Sequence, residues 1–244
     1  MVDSLKPGDV HVWYLWPERL ANAERLSRHT QILSRDEKTR AQSFRLEDDR
    51  NLYILGKAFV RILLSRYAPT DPALWEFTPN EYGKPAISGP PGVEDIAFNI
   101  SHTTGLISAV FAVDASVGID AEHHGRRTDA LTIAEHFLSP DEYSTLSMLR
   151  DSDRQQRFFE YWTLKEAYIK ATGLGMSMDL STFTFDIRED DRGISLRSTN
   201  VTDPGFWTFR LLKPGPDHTV AVAIRRSSEA AIRLGIYDGS SLMQ

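Results

Sequence analysis

The sequence predicts an α+β fold built from two similar halves, residues 1–116 and 117–244. Two observations carry this. A capping-box signature occurs twice, as Ser34 followed by Glu37 in "ILSRDEKTR" and as Ser139 followed by Glu142 in "FLSPDEYST", and each box precedes a longer helical pattern. Strand-like runs then follow each helix pair, so the order of elements in the first half recurs in the second.

In the first half, the helix opened by Ser34 is followed by "DDRNLYILGKAFVRILLSRY" (48–67), with Leu52, Leu55, Phe59 and Ile62 at helical spacing. The runs "LWEFTP", "IAFNISH" and "LISAVFAV" read as strands. Between the first two lies "NEYGKPAISGPPGVED" (80–95), a Pro- and Gly-rich stretch that reads as a long loop, and long ordered loops are more often functional than idle. In the second half Pro140 stands where a first helical residue tolerates it. "RQQRFFEYWTLKEAYIKATG" (154–173) ends at Gly173, a suitable left-handed cap. "STFTFDI", "FWTFRLL" and "TVAVAIRR" are the strands expected after it. The break between halves is expected at 114–117. A duplicated unit accounts for this order better than a solenoid, which needs several copies, and clefts between similar halves are common ligand sites.

Hydrophobic content of 41% and charged content of 25% are those of a water-soluble globular chain. A net charge of −6 gives no global pull toward nucleic acid or anionic membrane, so an anionic ligand needs a local basic cluster. With no cysteine, disulfides, thiolate metal sites and a cysteine nucleophile are excluded. The first residues lack a basic segment followed by an apolar one, and runs such as "LISAVFAV" are too short to span a bilayer. A cytoplasmic protein is expected.

The chemistry concentrates in two stretches. In "SVGIDAEHHG" (116–125), strand alternation puts Asp120 and Glu122 on one face, opposite Ile119 and Ala121. Two like charges side by side imply either a wet strand end or a positive group between them. In "FFEYWTLKEAYIK", at about 100° per residue, Phe158, Tyr161, Trp162, Leu164, Tyr168 and Ile169 form an apolar arc that includes Lys165. Glu166 and Lys170 lie together just beyond its edge. Read alone, this is a core helix with a snorkelling lysine and an ordinary i,i+4 pair of ~0.3–0.5 kcal/mol. Read with the strand, three carboxylates suit a hard divalent cation that keeps phosphate oxygens among its ligands, with lysines beside it for the phosphates. "GKP" (83–85) is not a P-loop, and Ser101-His102 lacks the G-x-S-x-G frame of a hydrolase triad. His123 and His124, adjacent in a strand, face opposite ways and cannot both join one site.

In order, "NEYGKPAI", "FNISHT", "VGIDAE" and "FFEYWTLKEAYIKATGLG" resemble the motifs of the 4′-phosphopantetheinyl transferases. The last two take the form G-[IV]-D-x-E and W-[ST]-x-K-E-[AS]-x-x-K, and the first two resemble motifs of the larger, Sfp-type branch. The resemblance runs from about residue 30 to residue 224. The shorter, synthase-type branch trimerises and lacks a duplicated chain, so this chain is similar to the pseudo-dimeric monomer. That implies two halves related by pseudo-two-fold symmetry, each a small antiparallel sheet packed with helices, with the active site in the cleft between them. The implied reaction moves the 4′-phosphopantetheine arm of coenzyme A onto a serine hydroxyl of an apo acyl or peptidyl carrier protein. It releases 3′,5′-ADP and depends on Mg²⁺, with Mn²⁺ as the alternative ion. Carriers of fatty acid, polyketide, nonribosomal peptide and siderophore assembly fit the resemblance alike.

Carried over residue by residue, the resemblance implies that Asp120, Glu122 and Glu166 hold the metal. Asp120, Glu166 and Lys170 form the catalytic set, with Glu166 accepting the serine proton, although a metal-bound carboxylate is a weak base. Lys165 and Lys170 match phosphate-binding lysines, Ser101 and His102 match contacts to the nucleotide's phosphates, and Lys84 matches a phosphate or adenine contact. Arg40 falls where the family grips the 3′-phosphate, and Arg50 lies slightly offset from the next family arginine; the alternative for both is a solvated helix face. Glu37, with Lys38 beside it, replaces the basic companion of Arg40. Glu142 aligns with an acid discussed as a catalytic helper, but the capping box already accounts for it. The carrier, an acidic helical domain, is expected to dock on residues 124–150, steered by Arg126 and Arg127 and gripped by Phe137, Leu138 or Met148. Two rivals remain: a Mg²⁺-dependent phosphatase or nucleotidyl transferase using the same acids, and a duplicated protein that binds an acidic partner without turnover.

Overall fold

A computed structural model describes residues 5–20, 23–93, 95–125, 129–188, 193–198, 206–226 and 231–244, apart from the side chain of Met176. The chain runs β1 (Asp9–Leu15), α1 (Ala23–Gln31), α2 (Arg35–Gln42), α3 (Glu47–Tyr67), β2 (Glu76–Pro79), β3 (Pro85–Gly89), β4 (Ile96–Thr103), β5 (Leu106–Val113) and β6 (Ala115–His123). It continues through α4 (Ala130–Phe137), α5 (Pro140–Ser147), α6 (Asp151–Thr172), β7 (Phe183–Ile187), β8 (Ile194–Ser198), β9 (Trp207–Leu212), β10 (His218–Arg226) and β11 (Arg233–Asp238). Both capping boxes form. Ser34 accepts from the Glu37 amide at 3.2 Å while Glu37 accepts from the Ser34 amide at 2.9 Å, and Ser139 and Glu142 do the same at 3.4 and 2.9 Å. Such caps contribute ~1 kcal/mol each. Gly173 closes α6 with φ 74°, the left-handed conformation it was expected to supply.

Side-chain alternation sorts the core into three clusters lying between four layers of secondary structure. One sheet has the order β11-β1-β5-β4, the other β6-β10-β9. Val10, Val12, Val110 and Ala112 of the first face Val117, Ile119, Val220 and Val222 of the second in a buried inter-sheet core. Trp13, Leu15, Ile107 and Phe111 point the other way and pack on Leu55, Phe59 and Leu63 of α3. On the far side, Phe209, Ala221 and Ala223 pack on Leu164, Ala167 and Tyr168 of α6. The order is helix, sheet, sheet, helix. A Cβ at Gly118 would collide with the Ala167 carbonyl and the Ala171 amide, so β6 lies directly against α6. Asp120, two residues on, faces the same helix.

The α+β expectation holds, with three corrections. The first sheet is mixed, because β11 pairs parallel to β1 from Asp9↔Arg233 to Tyr14↔Asp238. The expected boundary between 116 and 117 falls inside β6, two residues past its start, and residues 233–238 return to complete the first sheet. The expected long loop at 80–95 is largely a hairpin, β2 pairing antiparallel with β3. Its turn is held by the Asn80 carboxamide oxygen, which accepts from the amides of Tyr82 and Lys84, both at 2.9 Å, the local bonding that suits asparagine to turns. Among the described residues no helix is long and apolar enough to cross a membrane.

Candidate active site

The edges β4 and β6 meet through side chains. Asn99 accepts from the Ile119 amide at 2.9 Å, and Ser101 donates to Asp120 Oδ1 at 2.9 Å. From the helix side, Lys170 Nζ reaches Asp120 Oδ1 at 2.6 Å and Ser101 Oγ at 3.1 Å. Asp120 Oδ2 is buried and has no hydrogen-bond partner among the described residues. Glu166 sits one turn before Lys170. Burial pushes its carboxyl upward, the Asp120 charge pushes it further, and Lys170 offsets part of this.

Two clefts flank Trp162. One, of about 730 Å³, is lined by Tyr82, Lys84, Asn99, Trp162, Glu166 and Lys170 among others. The other, of about 690 Å³, is lined by Glu122, His123, Asp129, Ile133, Phe158 and Trp162 among others. Lys84 Nζ donates to the carbonyls of Ala171 at 3.0 Å and Val117 at 3.1 Å, and burial pushes its pKa down to about 8. The first cleft therefore presents two ammonium groups, one of them poorly solvated and bonded to neutral oxygens.

The expected three-acid cluster is not formed as the side chains stand. Among the described residues no three His, Asp or Glu gather closely enough to hold a metal ion. Asp120 and Glu166 share the field of Lys170, while Glu122 lines the second cleft. Neighbouring carboxylates repel, and here the Lys170 ammonium, paired with Asp120, offsets part of that repulsion on Glu166. The orphaned Asp120 Oδ2, with the raised Glu166 carboxyl near it, is nevertheless a donor set that fits a hard cation.

Lys165 is the clearest correction. Its side chain is fully buried, with Nζ 2.8 Å from Glu142 Oε2, 2.7 Å from the Leu180 carbonyl and 2.6 Å from the Phe183 carbonyl. One residue is about 100° of helix rotation, and that turns Lys165 into the apolar arc, away from Glu166. Glu142 also accepts from the Phe185 amide at 2.7 Å and is buried, so it is a structural acid. A matching device stands in the first half, unread in the sequence. Buried Arg61 of α3 pairs with Glu37 at 2.8 Å and bonds the carbonyls of Pro72 and Trp75 at 3.1 and 2.8 Å. In each case a cation from the long helix joins the acid of the capping box to two carbonyls of the segment that follows.

Ser101 and His102 point to opposite faces of β4. Burial and the Lys170 charge push His102 down, while Asp49 and Asp120 pull it back. Arg40 lies over the Phe44 ring at 5.6 Å, and Arg50 pairs with Glu47 at 3.6 Å. Neither lines the two clefts. His124 bonds Thr219 Oγ1 at 2.7 Å and stacks on Phe159, whereas His123 lines the second cleft, so the two diverge as alternation requires. Of the expected docking residues, Met148 and Phe137 are exposed, but Leu138 is buried in the core and unavailable. Arg126 and Arg127 lie outside the described residues.

Residues 20–113 match a family model described as 4′-phosphopantetheinyl transferase, N-terminal, and residues 116–223 match one described as the 4′-phosphopantetheinyl transferase superfamily. The 4′-phosphopantetheinyl transferase psf-1 of Bacillus pumilus is 38% identical over 203 residues, covering 82% of each chain. The 4′-phosphopantetheinyl transferase HetI of Nostoc is 32% identical over 174 residues, 71% of this chain and 73% of that one. A phosphopantetheinyl transferase of Thraustochytrium is 29% identical over 234 residues, 89% of this chain and 79% of that one. Among solved structures, the holo-[acyl-carrier-protein] synthase of Thermotoga maritima is 22% identical at a TM-score of 0.37, over 46% of this chain and 64% of that one.

Proposed function

The chain belongs to the 4′-phosphopantetheinyl transferase superfamily and is a transferase of that family, and from that premise we propose that it moves the 4′-phosphopantetheine arm of coenzyme A to a serine hydroxyl of an apo carrier protein, releasing 3′,5′-ADP. The observation that carries the reading is the meeting of Lys170 and Glu166 with Asp120 at the wall of a cleft of about 730 Å³ that also holds Lys84. Attack on a pyrophosphate builds negative charge on non-bridging and leaving oxygens, and fixed positive charge placed there lowers the barrier. Lys84 and Lys170 supply that charge to the diphosphate. Ser101 holds the Asp120 carboxylate in place by its hydrogen bond.

Asp120, Glu122 and Glu166 would hold Mg²⁺, to which the orphaned Asp120 Oδ2 offers an oxygen. When bound, that ion neutralises and orients the diphosphate. Glu166, which shares the first cleft with Lys84 and Lys170, takes the serine proton. Arg40 grips the 3′-phosphate, with Arg50 as a further basic contact, and His102 contacts the nucleotide's phosphates. Glu37 does not oppose them, because its charge is neutralised by Arg61. The halves 1–116 and 117–244, with β11 returned to the first sheet, are duplicates related by pseudo-two-fold symmetry. The paired clamps Arg61–Glu37 and Lys165–Glu142 support this. The carrier docks on residues 124–150, where Phe137 and Met148 are exposed, and the enzyme acts as a cytoplasmic monomer.

Intact mass spectrometry of apo carrier proteins incubated with the chain, coenzyme A and Mg²⁺ tests the reading. A mass gain of one phosphopantetheine arm is expected, lost with EDTA or with Asp120→Ala. Hydrolysis of coenzyme A with no carrier modified would favour a phosphatase instead.

A further inference from the structure

The β2–β3 turn crosses from the first half of the chain to the C-terminal end of α6. The last carbonyls of a helix have no partners within it, and this turn supplies two. Asn80 Nδ2 donates to the Gly173 carbonyl at 2.9 Å, and Lys84 Nζ donates to the Ala171 carbonyl at 3.0 Å. The other end of the same carboxamide accepts from the amides of Tyr82 and Lys84. One side chain thus shapes the turn and fastens it to the helix. The approach is close: a Cβ at Gly173 would stand 3.1 Å from Asn80 Nδ2 and 3.4 Å from Lys84 Cδ. The glycine serves the contact as well as the positive φ.

We propose that Asn80 is a positioning residue for anion binding in the first cleft, its carboxamide clasping the hairpin to α6 so that Lys84 is held, largely desolvated, where a phosphate group can reach it. The titratable groups that share this cleft are Tyr82 on the hairpin, Glu166 and Lys170 on α6, Asp179 beyond it and His136 on α4. None of them accounts for the lowered affinity of Lys84 for its proton, whose cause is burial. A phosphate entering there pairs with a lysine whose bonds run to neutral carbonyls, so less water has to be removed as it binds. The identity of the anion as coenzyme A rests on the transfer reading above.

Two variants and two readouts test this. Asn80→Ala removes every bond of the carboxamide. Asn80→Ser keeps a weaker turn acceptor but is too short to reach Gly173. Both are expected to raise KM for coenzyme A roughly tenfold, the worth of about one hydrogen bond, with kcat changed by less than about twofold. The second readout needs no ligand: acetic anhydride labelling of Lys84 against pH, followed by peptide mass spectrometry. In the wild-type chain the reactivity of Lys84 should rise with a midpoint near pH 8, and in both variants the midpoint should move up toward that of an ordinary lysine. Unchanged labelling in Asn80→Ala, or an Asn80→Ser protein with wild-type KM, overturns the proposal. A wild-type chain that binds no coenzyme A at all sinks the transfer reading, and the labelling profile still decides whether Asn80 sets Lys84.

Discussion

Lys165 and Glu142 form an ion pair, 2.8 Å between Nζ and Oε2, from which solvent is wholly excluded. The pair joins α6 to the N-terminus of α5 and, through the Leu180 and Phe183 carbonyls, to the wall of the first cleft. Removing one partner strands the other charge in the core. Lys165→Met and Glu142→Gln should therefore each cost ~3–5 kcal/mol in urea unfolding. The double variant should cost less than the sum of the two, since no charge is left unpaired. Additive losses would show that the two side chains do not act as a pair.

Gly118 is the point at which β6 touches α6, and the atoms its Cβ would meet are backbone atoms of Ala167 and Ala171, which cannot rotate away. Gly118→Ala should cost ~1–3 kcal/mol by overpacking. By prying the strand from the helix it should also separate Asp120 from Lys170. Transfer activity per folded molecule, with the folded fraction taken from a thermal melt, should fall by about a hundredfold, the effect of an ångström of misplacement. Full activity in a destabilised variant would mean that the strand–helix contact does not set the site.

How much of this was legible in the sequence depended on the range of the interaction. Both capping boxes, the two long helices and the shared face of Asp120 and Glu122 are written in residues two to four apart, and they form as read. β11 pairs with β1 across more than two hundred residues, and no local pattern announces a partner so far away. Lys165 is instructive in another way. Helix geometry alone put it inside the apolar arc, where it is found, while the motif resemblance moved it to the phosphates. Arg61 carries the corresponding signal in the first half, a cation on the buried face of α3 next to Ile62 and Leu63, paired with the Glu37 that the capping box and the missing basic companion of Arg40 both single out. The Asp120–Lys170 contact is set by packing between strand and helix, which spacing cannot supply.

Lys84 makes binding depend on pH in a definite direction. Its folded pKa, about 8, lies below that of a free lysine because of burial. Below pH 8 both folded and unfolded chains carry the charge, and the penalty of burying it is fully present. Between 8 and about 10.4 the unfolded chain holds more protons, so this group makes folding more favourable as pH rises. An anion binding beside Lys84 favours the protonated form, so the dependence of affinity is opposite. The Kd for coenzyme A should rise by up to about tenfold per pH unit above 8, and Lys84→Met should weaken binding at pH 7 and flatten that rise. A Lys84→Met profile with the wild-type slope would place the titrating group elsewhere.

A divalent cation held by Asp120 as proposed would compete there with Lys170, and this separates metal binding from turnover. With the ammonium 2.6 Å from Oδ1, any cation drawn to Asp120 and Glu166 must share or displace a positive charge already there. Lys170→Met removes that competitor and leaves the two carboxylates facing each other, which raises the local negative potential. Titration calorimetry should then show Mg²⁺ bound at least as tightly as by the wild type, while Asp120→Asn binds it more weakly. Carrier modification should nevertheless fall in Lys170→Met by about two to three orders of magnitude, the scale seen when one preorganised charge is removed from developing negative oxygens. Loss of Mg²⁺ binding in Lys170→Met would mean that the lysine organises the acids instead of competing for them, and undiminished turnover would remove it from the chemistry altogether.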